Sequence, residues 1–551
     1  MLLLAPLLSA RADYTAFVDP SILVVSNFEG WGTSLCWWGN VVGGYPNRET
    51  YADLAFGQLK LNIVRYNIGG GENPTNTFLS YRAQMPGFEP TNGVWNWSAD
   101  ANQRWMLQAA LARGVDHVEA FANSPPWWMT VSGSVTGSTN GTSNNLQTGY
   151  EQNFAVYLAT VVSNLSVLDG VHFDTVTPMN EPNESWWKYG GSQEGCYMSS
   201  SQQARVVSDL RAALDSRGQT AGIAACEDYY EQDGVNSLNT YGASALGDVS
   251  RIVTHSYGNN APAGLRVLAA SLHKPLWVTE YGHCDASGMT QARRIRDDIT
   301  TLGARAWVYW QVVDGGTCWG LLANPEVAVT NSGYTAAYTI HKSFYVMGQF
   351  SEFIRPGSQI LSVADTNSLA AYNPTNSTLV IVTVNDATNS FNVTYDLSEF
   401  AALPAQAARY RTSATESVAA LSALPLSGKQ LLAPALAQSV TTYVLTNVLP
   451  APATPYEGLV MADSPICYWR LNETNDGTAF EGIGELNGAC GANVTNGVPG
   501  TAAPAFAGFP PGHAAVAMDP SVTNTGAGYI SAPAISLNSA TLTLTAWVYP
   551  F

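Results

Sequence analysis

The chain has 551 residues, of which 46% are apolar and only 12% charged, so it can bury large cores and is not a disordered segment. Its 24 Lys and Arg against 42 Asp and Glu give a formal charge of −18, the wrong sign for a nucleic-acid backbone or an anionic membrane surface. Such a length predicts about two or three domains.

In chain order, residues 1–12 (MLLLAPLLSARA) are a short apolar run ending in the A-x-A-like Ala10-Arg11-Ala12, and a secretory signal peptide is expected there. No later run is long and apolar enough to span a bilayer. Eight N-x-S/T sequons begin at Asn96, Asn140, Asn164, Asn183, Asn376, Asn392, Asn472 and Asn493, which fits an extracellular, glycosylated surface. Asn183 is expected to stay bare, because a glycan there would crowd the site described below. The seven cysteines form no CxxC pair, so disulfides fit better than a zinc site. Cys467 and Cys490 are candidates to pair, which leaves at least one upstream thiol without a partner in the chain.

Residues 13–30, with a strand-like Ser21–Ser26, are expected to join a β-sandwich further along. From 31 to 348, short apolar runs alternate with helical patterns. The runs are Thr33–Trp38, Asn62–Ile68, Asp116–Ala122, Thr175–Asn180, Ala221–Cys226, Arg251–Ser256, Leu276–Glu280 and Ala306–Gln311. Phe154, Tyr157, Leu158, Val161, Val162 and Leu165 share one helical face, as do Val206, Val207, Leu210 and Leu214 before the stop at Gly218. A third helix carries Ile295, Ile299 and Leu302. Eight parallel-type strands separated by helices predict an α/β fold, a (β/α)8 TIM barrel whose chemistry gathers at the C-terminal strand ends. After a helix containing Tyr338–Met347, alternating strands at Leu369–Asn373, Leu379–Asn385, Phe391–Leu397 and Ser439–Thr446 predict a side β-sandwich over 349–448. Residues 449–458 (LPAPATPYEG) read as a linker.

Residues 459–551 are Gly-rich and β-patterned. Their CYWRLNE, NGVPGTAAPAF, GYISAP and ATLTLTAWVYPF resemble the opening half of a laminin-G-like, concanavalin-A-type jelly roll. A complete module of that kind needs more chain, so a partial one is expected.

Two carboxylates stand out. Glu181, in VTPMNEP, closes the fourth barrel run, and Glu280, in LWVTEYG, closes the seventh. A barrel sets these two ends across one cavity. Cleavage of a glycosidic bond needs such a pair, one acid for the leaving oxygen and one carboxylate for the anomeric carbon. A lone Glu at a strand end is ordinarily a loop residue or cap; the pairing is what argues for chemistry.

The chain resembles glycoside hydrolase family 30, a group of retaining barrel glycosidases, over about residues 20–448. The likeness is carried by NEP (Asn180–Pro182), TEYG (Thr279–Gly282), VRYNIGG (Val64–Gly70), NSPPWWM (Asn123–Met129), SWWKYGGSQEGC (Ser185–Cys196) and WVYWQ (Trp307–Gln311). WGTSLCWWG and the QEGC stretch look most like the endo-β-1,6-galactanase branch. The resemblance implies Glu181 as acid/base and Glu280 as nucleophile. It further implies Arg65 holding Glu280 ionised, Asn180 on the sugar 2-OH, and Tyr257 donating to Glu280. His255, Asn123 and the tryptophans Trp37, Trp38, Trp127, Trp128, Trp186, Trp187 and Trp310 complete the expected sugar-binding set, indole faces stacking on sugar C–H faces. Burial among aromatic walls predicts Glu181 protonated at the working pH. Glu280, His283 and Asp285 form no metal-binding pattern, and no cofactor is expected.

The reading is thus a secreted, monomeric retaining endo-glycosidase acting on a polysaccharide, β-1,6-galactan, with β-1,6-glucan, glucosylceramide and xylan as alternatives. The rival from another class is a non-catalytic carbohydrate-binding protein.

Overall fold

The computed structural model describes residues 13–75, 80–258, 260, 262–316, 318–328 and 334–451, with parts of 455–546. The expected signal peptide lies outside the described residues.

The chain starts with β1 (Tyr14–Val25) and then builds eight parallel strands: β2 (Gly30–Ser34), β3 (Ile63–Asn67), β4 (His117–Phe121), β5 (Thr175–Thr177), β6 (Gly222–Asp228), β7 (Val249–Thr254), β8 (Leu276–Tyr281) and β9 (Ala306–Gln311). Each pairs with the next, and β9 pairs back to β2, closing the barrel. Nearly every strand residue is buried, as expected of parallel strands covered by helices outside and side chains inside. The helix Glu151–Leu168 buries Phe154, Tyr157, Leu158, Val161, Val162 and Leu165, the face its sequence period predicts. In Ser200–Asp215, Val206, Val207, Leu210 and Leu214 do the same.

Four barrel strands depart from the sequence reading; β7 is Val249–Thr254 where Arg251–Ser256 is expected. β2 ends at Ser34, and Trp37 and Trp38 belong to a buried turn and a short helix, Trp38–Val42. An apolar run reports burial, and a packed turn buries its indoles as fully as a strand. β5 stops at Thr177 because Pro178 has no N–H to give the ladder. β6 runs on to Asp228, two polar residues past the apolar stretch.

β1 sits in both halves of the sandwich. It is antiparallel to Gln359–Val363 and parallel to Phe391–Asp396. From there the ring of strands continues through Ser368–Asn373, Thr378–Asn385, Ser439–Leu445, Gln406–Thr412, Ala419–Ser427 and Gln430–Ala435. Its interior is a separate core of Val18, Leu361, Ile381, Tyr395, Leu431, Tyr443 and neighbours. The barrel core continues into the opposite face of the sandwich through Phe344, Phe350, Val380, Val382 and Val440. Gln349, on the helix Lys342–Ser351, crosses that seam to Thr412 and Thr442.

The segment read as a linker, 449–458, is described in part. Leu449–Pro450 pairs with Phe400–Ala402, and a helix runs Pro455–Ala462. Beyond it, Val494–Pro499 pairs with Ala514–Met518, while most of ATLTLTAWVYPF lies outside the described residues. Cys467 and Cys490 do not bond to each other; the disulfide among the described residues joins Cys284 and Cys318. Cys36, Cys196 and Cys226 are buried thiols.

Candidate active site

At the C-terminal ends of the barrel strands lies a pocket of about 550 Å³. Its floor holds Glu181 and Glu280, both nearly buried. One oxygen of each, together with a ring nitrogen of His255, lies within 4.8 Å of the others. Glu181 follows the shortened β5 with φ of +45°, a left-handed conformation costing a non-glycine residue about 1–2 kcal/mol. Its N–H donates to the Glu227 carbonyl at 2.8 Å, which pins that bend to β6. Glu227 and Ser256 are likewise left-handed, so the chain bends sharply at the ends of three adjacent strands, β5, β6 and β7.

Beneath the pocket sits a charged layer. Arg65, fully buried on β3, reaches Glu119 at 2.9 Å, Glu227 at 2.6 Å and Glu280 at 3.5 Å. It also donates to the Thr279 carbonyl at 3.1 Å and stacks over the Phe121 ring. His255 lies between the acids, with Nε2 2.6 Å from Glu227 and Nδ1 3.1 Å from Glu181 and 3.5 Å from Glu280. Burial opposes charge on that ring, but the carboxylates of Glu280, Glu181 and Glu227 outweigh it and push its pKa up to about 10. Glu181, His255 and Glu280 form one close-set cluster, with His255 Nδ1 facing both carboxylates. Of the sequence cluster Glu280, His283 and Asp285, only Glu280 lines the pocket.

Glu280 accepts a hydrogen bond from the Tyr257 hydroxyl at 3.0 Å. The sequence reading expects this carboxylate to be ionised; the structure shifts it the other way. Burial pushes it up to about 7; Glu181 adds to the rise, while His255 and Arg65 hold it down.

The walls are aromatic. Trp186 directs its indole N–H at Glu181 Oε2, 3.3 Å away, and Trp187 donates to the Glu181 carbonyl at 2.8 Å. Trp187 closes down on Gly195, where a Cβ would come 2.1 Å from its ring. Trp310 forms another wall and Tyr257 a third, the latter stacked on Tyr229 at 4.5 Å. Polar atoms are held ready as well: Asn180 Oδ1 and both amide atoms of Gln311 are buried without a hydrogen-bond partner among the described residues.

Glu181, Glu280, Asn180, Tyr257, Trp186, Trp187 and Trp310 thus converge on the pocket, as the sequence suggests. Seven expected sugar contacts are not among its lining. Arg65 and His255 lie under the floor and act on carboxylates. Trp37 backs Trp310 edge-on at 6.0 Å, and Trp38 is in the core, donating to the Ser34 carbonyl. Asn123 binds Cys36 and Asn67. Trp127 and Trp128 clasp the carbonyls of Pro90 and Glu89. Strand-end position brings a side chain to the right face of the barrel, but the loop path decides which way it points. The sequence reading missed Arg82, Gln193, Tyr229, Gln311 and Trp319 in the lining, and the buried acids Glu119, Glu194 and Glu227. Glu194 ties the loop carrying Trp186 and Trp187 to β3, accepting from Gly70 N–H at 2.8 Å and Asn67 at 3.1 Å; burial pushes it up to about 8.

Comparison with known proteins agrees with this geometry. Residues 27–270 match O-glycosyl hydrolase family 30. The chain is 36% identical over 421 residues to an endo-beta-1,6-galactanase of Hypocrea rufa, covering 71% of this chain and 84% of that one. It is 27% identical over 435 residues to an exo-beta-1,6-galactobiohydrolase of Bifidobacterium longum, covering 57% of this chain and 28% of that longer one. Among solved structures, the catalytic domain of a family 30 xylanase C from Talaromyces cellulolyticus superposes with a TM-score of 0.61 at 22% identity, over 79% of this chain and all of that domain. That likeness establishes the barrel-plus-sandwich fold.

Proposed function

This chain belongs to O-glycosyl hydrolase family 30, and from that premise we propose that it cleaves β-1,6-galactan by a retaining double displacement, with Glu181 as acid/base and Glu280 as nucleophile. The observation that carries the reading is the pair of buried carboxylates, with oxygens within 4.8 Å across one pocket. A retaining pair stands about 5–5.5 Å apart, whereas an inverting pair stands about 6.5–9.5 Å apart to admit a water.

In the first step the Glu181 carboxyl gives its proton to the glycosidic oxygen while a Glu280 oxygen bonds to the anomeric carbon. In the second, Glu181 takes a proton from water, whose oxygen displaces Glu280. The proton leaves with the departing sugar in the first step and is replaced from water in the second, while His255 places Nδ1 3.1 Å from Glu181 and 3.5 Å from Glu280. Tyr257, whose phenol burial keeps protonated, donates to Glu280 and fixes the oxygen that attacks. Galactan as substrate is supported by the 36% identity to the Hypocrea rufa enzyme. An extracellular setting is supported by the Cys284–Cys318 disulfide and by the exposed sequon residues Asn96, Asn140 and Asn376. Asn183, by contrast, is tied through its amide to Asp228 and Ser237.

The test is hydrolysis of linear β-1,6-galacto-oligosaccharides beside β-1,6-glucan and xylan. Internal cleavage of the galactan series by the wild type, and none by Glu280→Gln, is expected. Turnover of glucan or xylan alone would overturn the substrate, and binding of galactan without any turnover would favour a lectin.

A further inference from the structure

The disulfide Cys284–Cys318 joins the loops that leave two adjacent barrel strands, β8 and β9. Cys284 follows closely on Glu280 in the chain. Directly after Cys318 comes Trp319, which lines the pocket and is 39% exposed. Its ring lies over Gly282: a Cβ there would come 3.2 Å from Trp319 Cε3 and 3.1 Å from Trp310 Cβ. The Tyr309 hydroxyl donates to the Trp319 carbonyl at 2.9 Å. The indole is therefore held by its ring, by its own carbonyl and, through the covalent neighbour, by the bridge.

We propose that Trp319 is a sugar-stacking platform of the cleft and that the Cys284–Cys318 bridge is the element that positions it; this rests on the polysaccharide-hydrolase reading of the pocket. Trp186 stands beside Glu181, and Trp319 packs two residues past Glu280. One exposed indole thus flanks each carboxylate, and sugar rings on both sides of the scissile bond meet an aromatic face. Stacking on the C–H face of a pyranose needs the indole plane fixed beforehand, because each ordered side chain otherwise costs entropy on binding. A covalent tie to the loop that leaves β8 just past Glu280 fixes that plane relative to the attacking oxygen. The Tyr309 hydrogen bond alone holds only the main chain.

The experiment combines kinetics with ¹⁹F NMR on protein labelled with 5-fluorotryptophan, the Trp319 resonance being assigned by Trp319→Phe. Trp319→Ala and the double variant Cys284→Ser/Cys318→Ser should each raise KM for a galacto-oligosaccharide about tenfold, with kcat moving less. The triple variant should be no worse than either. In the wild type the Trp319 resonance should shift on adding the oligosaccharide, and loss of the bridge should move it towards free indole. Additive losses in the triple variant would place the bridge's effect elsewhere and overturn the proposal, as would a Trp319 resonance indifferent to substrate or to the bridge. Should the double variant not fold, reduction of the folded wild type by a phosphine gives the same readout. A wild type inactive on the oligosaccharide sinks the galactan reading, while the response of the Trp319 resonance to loss of the bridge still decides the positioning.

Discussion

His255 places its Nε2 2.6 Å from Glu227 Oε2, the same oxygen that Arg65 Nη2 reaches at 2.6 Å. One buried carboxylate therefore orients two cations, of which Arg65 faces Glu280 and His255 faces both Glu181 and Glu280. The proposed nucleophile and acid/base are set by a residue that never meets the sugar.

Glu227→Gln should accordingly be costly twice. Breaking a buried ion pair on one side costs about 3–5 kcal/mol, to be read by chemical denaturation. With both cations loosened, kcat/KM should fall about 10–100-fold, the usual effect of losing a partner of a reacting group. A stable, fully active variant would show that Arg65 and His255 need no such anchor.

Stability should decline as pH rises through neutrality. Glu280 is raised from its ordinary 4.5 to about 7 and Glu194 to about 8; Asp228 is raised from 3.8 to about 8 and Asp298 to about 7, all chiefly by burial. Below their ordinary values both folded and unfolded chains hold these protons. Between those values and the raised ones only the folded chain does, so stability falls with pH. His255, raised from 6.5 to about 10, loses its contribution in the same direction above neutrality. Glu227, lowered mainly by Arg65 and His255 against the cost of its burial, works oppositely and loses its contribution on acidification. The melting temperature should therefore peak near about pH 4–5 and drop towards pH 8, and Glu194→Gln should flatten that drop. A Tm that climbs from pH 5 to 8 would contradict the assignment.

Gln311→Leu separates stability from function. Among the described residues both buried amide atoms of Gln311 find no hydrogen-bond partner at the pocket, so an apolar side chain of similar volume removes an unmet desolvation cost of about 1–3 kcal/mol. Tm should hold or rise while kcat/KM on galactan falls, because a sugar hydroxyl loses its partner. A loss of both would mean that the amide serves the fold.

Glu181→Gln should slow cleavage about 10²–10⁴-fold on a natural glycoside, the usual contribution of a general acid. The loss should shrink for an aryl galactoside whose leaving group needs no proton. An equal loss on both would assign Glu181 another role.

The sequence made the eight barrel strands legible because they are buried apolar runs, several of them separated by a helix of clear period. Glu181 and Glu280 were legible for a related reason: a carboxylate directly after such a run has few structural uses. Arg65 was identified but its neighbours were not. Glu119 lies inside a strand read only as apolar, and Glu227 lies just past the point where the apolar signal of β6 stops. The tryptophan pairs show the limit most clearly. Trp37 and Trp38 look like Trp186 and Trp187 in the sequence, yet the first pair is entirely buried and the second walls the pocket. What separates them is the path of the loop, fixed by contacts such as Glu194 to Gly70, which join residues far apart in the chain.

In the proposed reaction the two carboxylates of one pocket perform a double displacement. It is tested most directly by proton NMR of the anomeric signal during early cleavage of a β-1,6-galacto-oligosaccharide. The β-anomer of the new reducing end should appear first and only later mutarotate. First appearance of the α-anomer would mean a single displacement by water, and the nucleophile role of Glu280 would have to be given up.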